Sequence, residues 1–172
     1  MCRNIKLTIE YDGTNFCGWQ TQTGRNNPKN HKATQHQRTV QGEIEKTLKK
    51  IFKQNIKLIG SGRTDSGVHA LGQVANFTTQ SLMPVEKMQS ALNANLPEDI
   101  VILKAENAAP NFHARYSVKS KTYRYTILNT TARCAVQRNF CLFYPHKLNL
   151  RKMREEAKSL IGRKNFKSFT AS

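Results

Sequence analysis

The residues that could do chemistry are concentrated in one glycine-rich stretch, residues 60–70, which reads GSGRTDSGVHA. Glycines at its first, third and eighth positions allow sharp turns and a close approach to a ligand. Asp65 lies two positions after Arg63 and is the only carboxylate between Glu45 and Glu86. Such an acid is either an ionised nucleophile or base, or a turn residue that hydrogen-bonds to its own backbone. The residue types alone leave both interpretations open.

The charge of the chain predicts a polyanionic partner. Lys and Arg number 28 against 11 Asp and Glu, which gives a formal net charge of +17. Residues 107–154 contain many of these cations and no acid, and residues 24–38 are also basic without an acid. Nucleic acid is the favoured partner because clustered cations neutralise phosphates, and an anionic membrane surface is the alternative. Residues 24–38 form either an arm along RNA or a solvated linker.

Other sequence features narrow the class of protein. No apolar run is long enough to span a bilayer and no signal peptide opens the sequence, so a cytoplasmic protein without membrane contact is predicted. The cysteines form no C-x-x-C pair and have no histidine at metal-ligand spacing, which predicts reduced thiols and no metal site. They are Cys2, Cys17, Cys134 and Cys141.

The periodicity of the first 110 residues predicts the elements that must position Asp65. In chain order these are a strand over residues 5–11, a helix capped by Thr39, a short strand over 55–59, a strand over 73–78, a helix from Pro84 and a buried strand over 100–103. This βαββαβ order is typical of a ferredoxin-like domain with an antiparallel sheet, in the α+β class. The loop 60–70 joins its second and third strands. Trp19, the only tryptophan, could stack on a base but is favoured as a core residue because of its area.

Residues 111–172 predict the beginning of a second α+β domain that is incomplete, after a first domain over 1–110. Two strands are predicted over residues 113–118 and 122–128, followed by a helix that Asn149 caps and that ends before Gly162. Tyr123 shares one strand face with Tyr125 and Ile127, so Tyr123 is by default a half-buried strand tyrosine.

Five ordered sequence blocks resemble the bacterial tRNA pseudouridine synthase A (TruA) family. The resemblance extends from about residue 5 to residue 169 and is interrupted mainly by residues 24–38. Because family members are longer than this chain, the C-terminal part of the second domain is expected to be missing here. The blocks are residues 11–13 with 18–20, 39–41, 62–65 with 67–70 and 72–74, 93–97, and 112–115 with 121–125.

The resemblance implies a reaction and three site residues. The family isomerises uridine to pseudouridine in the anticodon arm of tRNA, at positions 38 to 40. Asp65 then corresponds to the nucleophile, Tyr123 to the residue that packs against the target base, and Arg63 to an arginine that contacts the aspartate and helps the base leave the stack. Since the reaction has no redox step and imports no group, neither an organic cofactor nor a metal is expected. The implied partners are tRNA and, at full length, a second copy of the chain.

Four further residues are candidate RNA contacts, each with a structural alternative. Arg115, Lys121 and Arg124 could meet phosphates or form solvated surface. His69 could contact RNA, although a packing or backbone-bonding role is favoured. A catalytically incomplete RNA-binding module is the alternative function. A nucleotide-binding phosphate cradle is disfavoured, because no Gly-Lys-Ser/Thr follows the glycines.

Overall fold

A computed structural model describes residues 2–20 and 38–169. The predicted loop over residues 24–38 lies outside this part of the chain, except for Arg38. The chain divides into two compact units, Met1–Lys121 and Thr122–Ser172. The division into folding domains over 1–110 and 111–172 stays a prediction, because a compact unit is defined by its contacts and not by its ability to fold alone.

The first unit has the predicted strand and helix order. A four-stranded antiparallel sheet has the strand order β2-β3-β1-β4, with β1 paired to β3 on one side and β4 on the other. This confirms the α+β class and the ferredoxin-like arrangement. The elements are β1 (Arg3–Tyr11), a 3-10 turn (Gly13–Asn15), α1 (Val40–Phe52), β2 (Ile59–Gly60), β3 (Ala70–Thr79), α2 (Val85–Asn93) and β4 (Ile100–Ala108).

The core of this unit lies between one face of the sheet and the two helices. Successive strand side chains point to opposite faces, so alternate residues of β1 are buried. Trp19 is 2% exposed and belongs to this core, as favoured from the sequence. Among the largest fully buried side chains are Ile5, Leu7, Ile9, Ile44, Leu48, Phe77, Met88 and Leu92.

Two predicted strands differ from the observed ones. The strand predicted over residues 55–59 is reduced to Ile59–Gly60, because only these residues pair with β3. The strand predicted to be buried over 100–103 is buried on one face only. Val101 and Leu103 are 39% and 43% exposed because the helices cover a single face of the sheet.

The opposite face of the sheet holds a buried pair of asparagine side chains. Asn76 Nδ2 donates to Asn4 Oδ1 at 3.0 Å. Asn4 Nδ2 donates to the carbonyls of Ala109 and Phe112 at 2.9 and 2.8 Å, and the amide of Ala114 donates to Asn76 Oδ1 at 2.8 Å. The pair therefore fastens the segment that follows β4 across this face.

The second unit has little paired backbone. Ile127–Leu128 (β5) pairs in parallel with Leu142–Phe143 (β6), and a helix, α3 (Leu150–Lys158), follows. Among the described residues, the strand predicted over 122–128 is wrong except at β5, and the strand predicted over 113–118, in the first unit, is wrong. A strand needs a neighbour for its backbone N–H and C=O groups, and only β5 has one.

The side chains of the second unit are mostly exposed. The predicted helix with an Asn149 cap is confirmed, since Asn149 Oδ1 accepts from the amide of Lys152 at 3.0 Å. No residue of α3 is buried. Tyr123 is 79% exposed, so its interpretation as a half-buried strand tyrosine is wrong.

Candidate active site

The glycine-rich loop occupies residues 61–69, between the end of β2 and the start of β3. Its first residues are fastened to β3. The Ser61 amide donates to the Val74 carbonyl at 2.8 Å, and Ser61 Oγ donates to Gln73 Oε1 at 2.8 Å. Gln73 Nε2 donates in turn to the Gly62 carbonyl at 2.6 Å. One glutamine side chain therefore holds two consecutive loop residues.

Thr64, which precedes Asp65, is held by two aromatic residues of the core. The Trp19 amide donates to the Thr64 carbonyl at 3.1 Å, and the Tyr11 hydroxyl lies 2.9 Å from Thr64 Oγ1. Burial raises the pKa of Tyr11, while its hydrogen bond with Thr64 acts in the opposite direction. The phenol therefore stays protonated and available for this hydrogen bond.

Gly18 permits this close approach between the loop and the chain before Trp19. Its φ of +93° is unfavourable for a residue with a Cβ. A Cβ there would also lie 2.4 Å from the Thr64 carbonyl oxygen. Any larger residue would displace the backbone adjoining Asp65.

The residues after Asp65 are held by the carbonyl of Phe16. The Gly67 amide and the Ser66 hydroxyl both donate to it at 3.2 Å. The Val68 amide donates to the Asp65 carbonyl at 3.3 Å and closes a tight turn. Gly67 has a φ of +78°, which explains a glycine at this position.

His69 fastens the end of the loop to the turn after β1. Its Nδ1 lies 3.1 Å from the Gly13 amide nitrogen and 3.0 Å from Asp12 Oδ1, so one atom contacts both the backbone and a carboxylate of this turn. The pKa of Asp12 is lowered, chiefly by the hydrogen bond from Thr14 and to a smaller degree by His69. These contacts favour the backbone-bonding interpretation of His69, and its contact with RNA stays a prediction.

Asp65 is thus an exposed side chain on a backbone that is fixed on both sides. Arg63 is also exposed. Among the residues that the structure describes, no ion pair joins Arg63 to Asp65. The contact between them that the family resemblance implies therefore stays a prediction, as do both of their roles.

The other candidate site residues are divided between the two compact units. Lys121 lies against the loop, because a Cβ on Gly62 would be 2.9 Å from its Nζ. Arg115 is exposed in the same unit. Tyr123 and Arg124 belong to the second unit, where both are exposed.

The residues that support the loop were not recognised from the sequence. Tyr11, Gln73 and Thr64 act through hydrogen bonds between residues that are distant in the chain, and these depend on strand register. All three lie in the sequence blocks that resemble the family, but neither those blocks nor the alternating pattern that ends at Tyr11 indicated which groups they contact.

The described part of the chain contains neither a metal-binding cluster nor a membrane-spanning helix. No group of at least three His, Cys, Asp or Glu side chains could hold a metal ion there. None of the helices over residues 2–20 and 38–169 has the length and apolar character needed to cross a membrane.

Comparison with known proteins identifies the family. A profile described as tRNA pseudouridine synthase matches residues 7–117, which is more than half of the chain. The chain belongs to the tRNA pseudouridine synthase family. The matched region contains the whole loop 61–69 and all of the residues that fasten it, whereas Lys121, Tyr123 and Arg124 lie beyond it.

Curated relatives confirm the resemblance to tRNA pseudouridine synthase A. The protein of that name from Caldicellulosiruptor saccharolyticus is 48% identical over 170 residues, which cover 99% of this chain and 65% of the relative. That from Clostridium acetobutylicum is 45% identical with the same coverage. That from Bacillus pumilus is 46% identical over 98% of this chain and 64% of its own length. The chain therefore spans slightly less than two thirds of the length of these relatives.

Proposed function

We propose that this chain carries the nucleophile of a tRNA pseudouridine synthase, that Asp65 is this nucleophile, and that the substrate is a uridine at positions 38 to 40 of the anticodon arm. The observation that carries the proposal is the setting of Asp65. Its carboxylate is exposed on a loop whose neighbouring residues are held by core residues, within the region that matches the family. The basic charge of +17 suits an RNA substrate.

Pseudouridine formation through a covalent intermediate requires a nucleophile that is held in position. Pseudouridine formation breaks the bond between ribose and a uracil nitrogen, turns the base over and rejoins it to the ribose through carbon. An ionised Asp65 can form a covalent intermediate, which divides one difficult step into two. Attack on the ribose and attack on the base both remain within this proposal. A backbone fixed on both sides of Asp65 lowers the entropic cost of aligning the reacting atoms.

The target base must also leave the helical stack. We assign this step to Arg63 and Tyr123, since a flipped base is usually held by stacking and hydrogen bonds. Tyr123 is 79% exposed and therefore presents an aromatic face to solvent. Lys121, whose ammonium lies against Gly62, is the strongest candidate for a phosphate contact beside Asp65. Arg115, Arg124 and His69 are further proposed RNA contacts.

The test compares Asp65→Asn with the unmodified chain in tRNA that lacks pseudouridine. We expect Asp65→Asn to lower the rate of pseudouridine formation at positions 38 to 40 by about a thousandfold or more. Binding of tRNA should persist. Glu98→Gln, which also neutralises an exposed carboxylate, is the matched control and should keep full activity. Equal rates for Asp65→Asn and Glu98→Gln would contradict the proposal.

A second candidate is an RNA-binding module without catalysis. It is favoured by the net charge of +17, which suits RNA binding whether or not Asp65 reacts. This alternative predicts tRNA binding that weakens steeply with salt and no pseudouridine at any protein concentration. We further propose that the full-length protein is a homodimer, which analytical ultracentrifugation would test. We also propose a cytoplasmic location.

A further inference from the structure

A bidentate ion pair outside the loop joins Arg38 to Asp99. The two terminal guanidinium nitrogens donate to Asp99 Oδ2 and Oδ1 at 2.6 and 2.8 Å. The side chains are only 32% and 22% exposed, which limits screening by solvent. The hydrogen bond from Arg38 to Asp99 is the main reason that the pKa of Arg38 is raised. Paired N–H donors on one carboxylate fix both distance and direction.

Arg38 is connected through Phe16 to the residues after Asp65. Its guanidinium lies 4.2 Å from the centre of the Phe16 ring, and its carbonyl accepts from the Cys17 amide at 2.8 Å. Arg38 therefore holds both the ring of Phe16 and the backbone next to it. The Phe16 carbonyl is the group that accepts from Gly67 and Ser66.

Asp99 is connected through Asp12 to the end of the same loop. The Asp12 amide donates to the Asp99 carbonyl at 3.0 Å. The Asp12 carboxylate lies 3.0 Å from His69 Nδ1, so the turn that holds His69 is itself held by Asp99. Both routes from the ion pair thus end at loop residues on the C-terminal side of Asp65.

We infer that Arg38 and Asp99 are a positioning pair for Asp65. The pair fixes the Phe16 carbonyl and the Asp12 turn, and these fix residues 66–69, which set the direction of the Asp65 carboxylate. Neither residue touches the substrate in this scheme. The catalytic consequence rests on the proposed function, whereas the effect on the loop does not. A general stabilising ion pair would instead affect the whole unit evenly.

The test uses Arg38→Lys, which keeps the charge but loses the paired donors, and Asp99→Asn, which keeps the shape but loses the charge. Amide hydrogen exchange is measured in the full chain. We expect the protection of the Gly67 and Val68 amides, which donate to Phe16 and Asp65, to fall about tenfold in both variants, whereas β1 and β3 amides at Leu7 and Phe77 keep theirs. Arg151→Lys, in the exposed ion pair with Glu155, is the matched control and should change none of these amides.

Unchanged protection at Gly67, or an equal fall at Gly67, Leu7 and Phe77, would overturn the inference. In a chain that forms pseudouridine, both variants should lower kcat about tenfold with little change in KM for tRNA, since tRNA binding does not involve the pair. If the unmodified chain forms no pseudouridine, the proposed activity fails. The exchange data then still decide whether the pair positions the loop.

Discussion

The helices α1 and α3 begin alike and are buried very differently. Thr39 Oγ1 accepts from the Gly42 amide at 3.2 Å, and Asn149 accepts from Lys152 in the same manner at 3.0 Å. Both helices are amphipathic, yet α1 buries Val40, Ile44, Thr47 and Leu48 while α3 buries no residue. A cap and an apolar period are local properties that begin a helix. Burial depends on a second surface, and of these two helices only α1 has buried side chains.

The largest expected difference between the two helices comes from their apolar side chains. Leu48→Ala should lower the free energy of unfolding by about 2–5 kcal/mol, because Leu48 is fully buried and its removal leaves a cavity. Met153→Ala should change it by less than about 0.5 kcal/mol, since Met153 is 44% exposed. Urea unfolding followed by far-UV circular dichroism measures both. Similar losses in the two variants would remove the distinction between the helices.

Two glycines extend the comparison to the backbone. Gly18 and Gly162 have φ values of +93° and +97°, but a Cβ on Gly162 would meet no atom within 4 Å. We expect Gly162→Ala to cost about 1 kcal/mol from backbone strain alone. Gly18→Ala should cost about 2–3 kcal/mol, because the added carbon also meets the Thr64 carbonyl.

The same urea experiment checks these values, and the fluorescence of Trp19 follows the surroundings of Gly18. Gly18→Ala should alter that fluorescence and Gly162→Ala should not. An equal cost at the two sites would mean that the loop moves aside without resistance.

The smallest expected effect concerns two glutamates and pH. Hydrogen bonds, first from Lys104 and then from Lys6, lower the pKa of Glu106 from 4.5 to about 2. Because the folded pKa lies below the unfolded one, this stabilisation is present above about pH 4.5 and is lost as the pH falls towards 2. Glu106→Gln should therefore flatten the loss of stability over this range. At neutral pH it should cost less than about 1 kcal/mol, since the Lys6 and Lys104 side chains are both partly exposed.

Glu155→Gln is the matched control for Glu106. The ion pair of Glu155 with Arg151 is exposed on α3, so its loss should change the neutral-pH free energy of unfolding by less than about 0.5 kcal/mol. Thermal unfolding across the pH series measures both variants. An unchanged acid limb in Glu106→Gln would show that the two lysines do not stabilise the folded state.

The sequence predicted what depends on local pattern. The alternation of β1, the cap of α1 and the βαββαβ order were all predicted correctly, because residues close together in the sequence determine them. The strand predicted over 122–128 was mostly wrong, since a strand also needs a paired neighbour and only Ile127–Leu128 has one in that range. Tyr123 shows the consequence. It lies in an alternating sequence pattern, but without a paired strand that pattern did not indicate burial, and the side chain is 79% exposed.

The candidate site divides in the same way. Asp65 was recognisable as an isolated acid among glycines and through the family resemblance. Its supports were not, because Gln73 reaches Gly62, and Tyr11 reaches Thr64, only in the register that the sheet adopts. Arg38 and Asp99 are 61 residues apart, and no local pattern indicated that they meet.

The asparagine pair Asn4 and Asn76 makes the first unit sensitive to deamidation at either residue. Each amide uses its oxygen and its nitrogen at once, so each has a single allowed orientation. Deamidation of Asn4 would replace its donor by an anionic oxygen facing the carbonyls of Ala109 and Phe112. Deamidation of Asn76 would set a carboxylate oxygen against the carboxamide oxygen of Asn4. Either event would detach the segment after β4 without breaking the polypeptide chain.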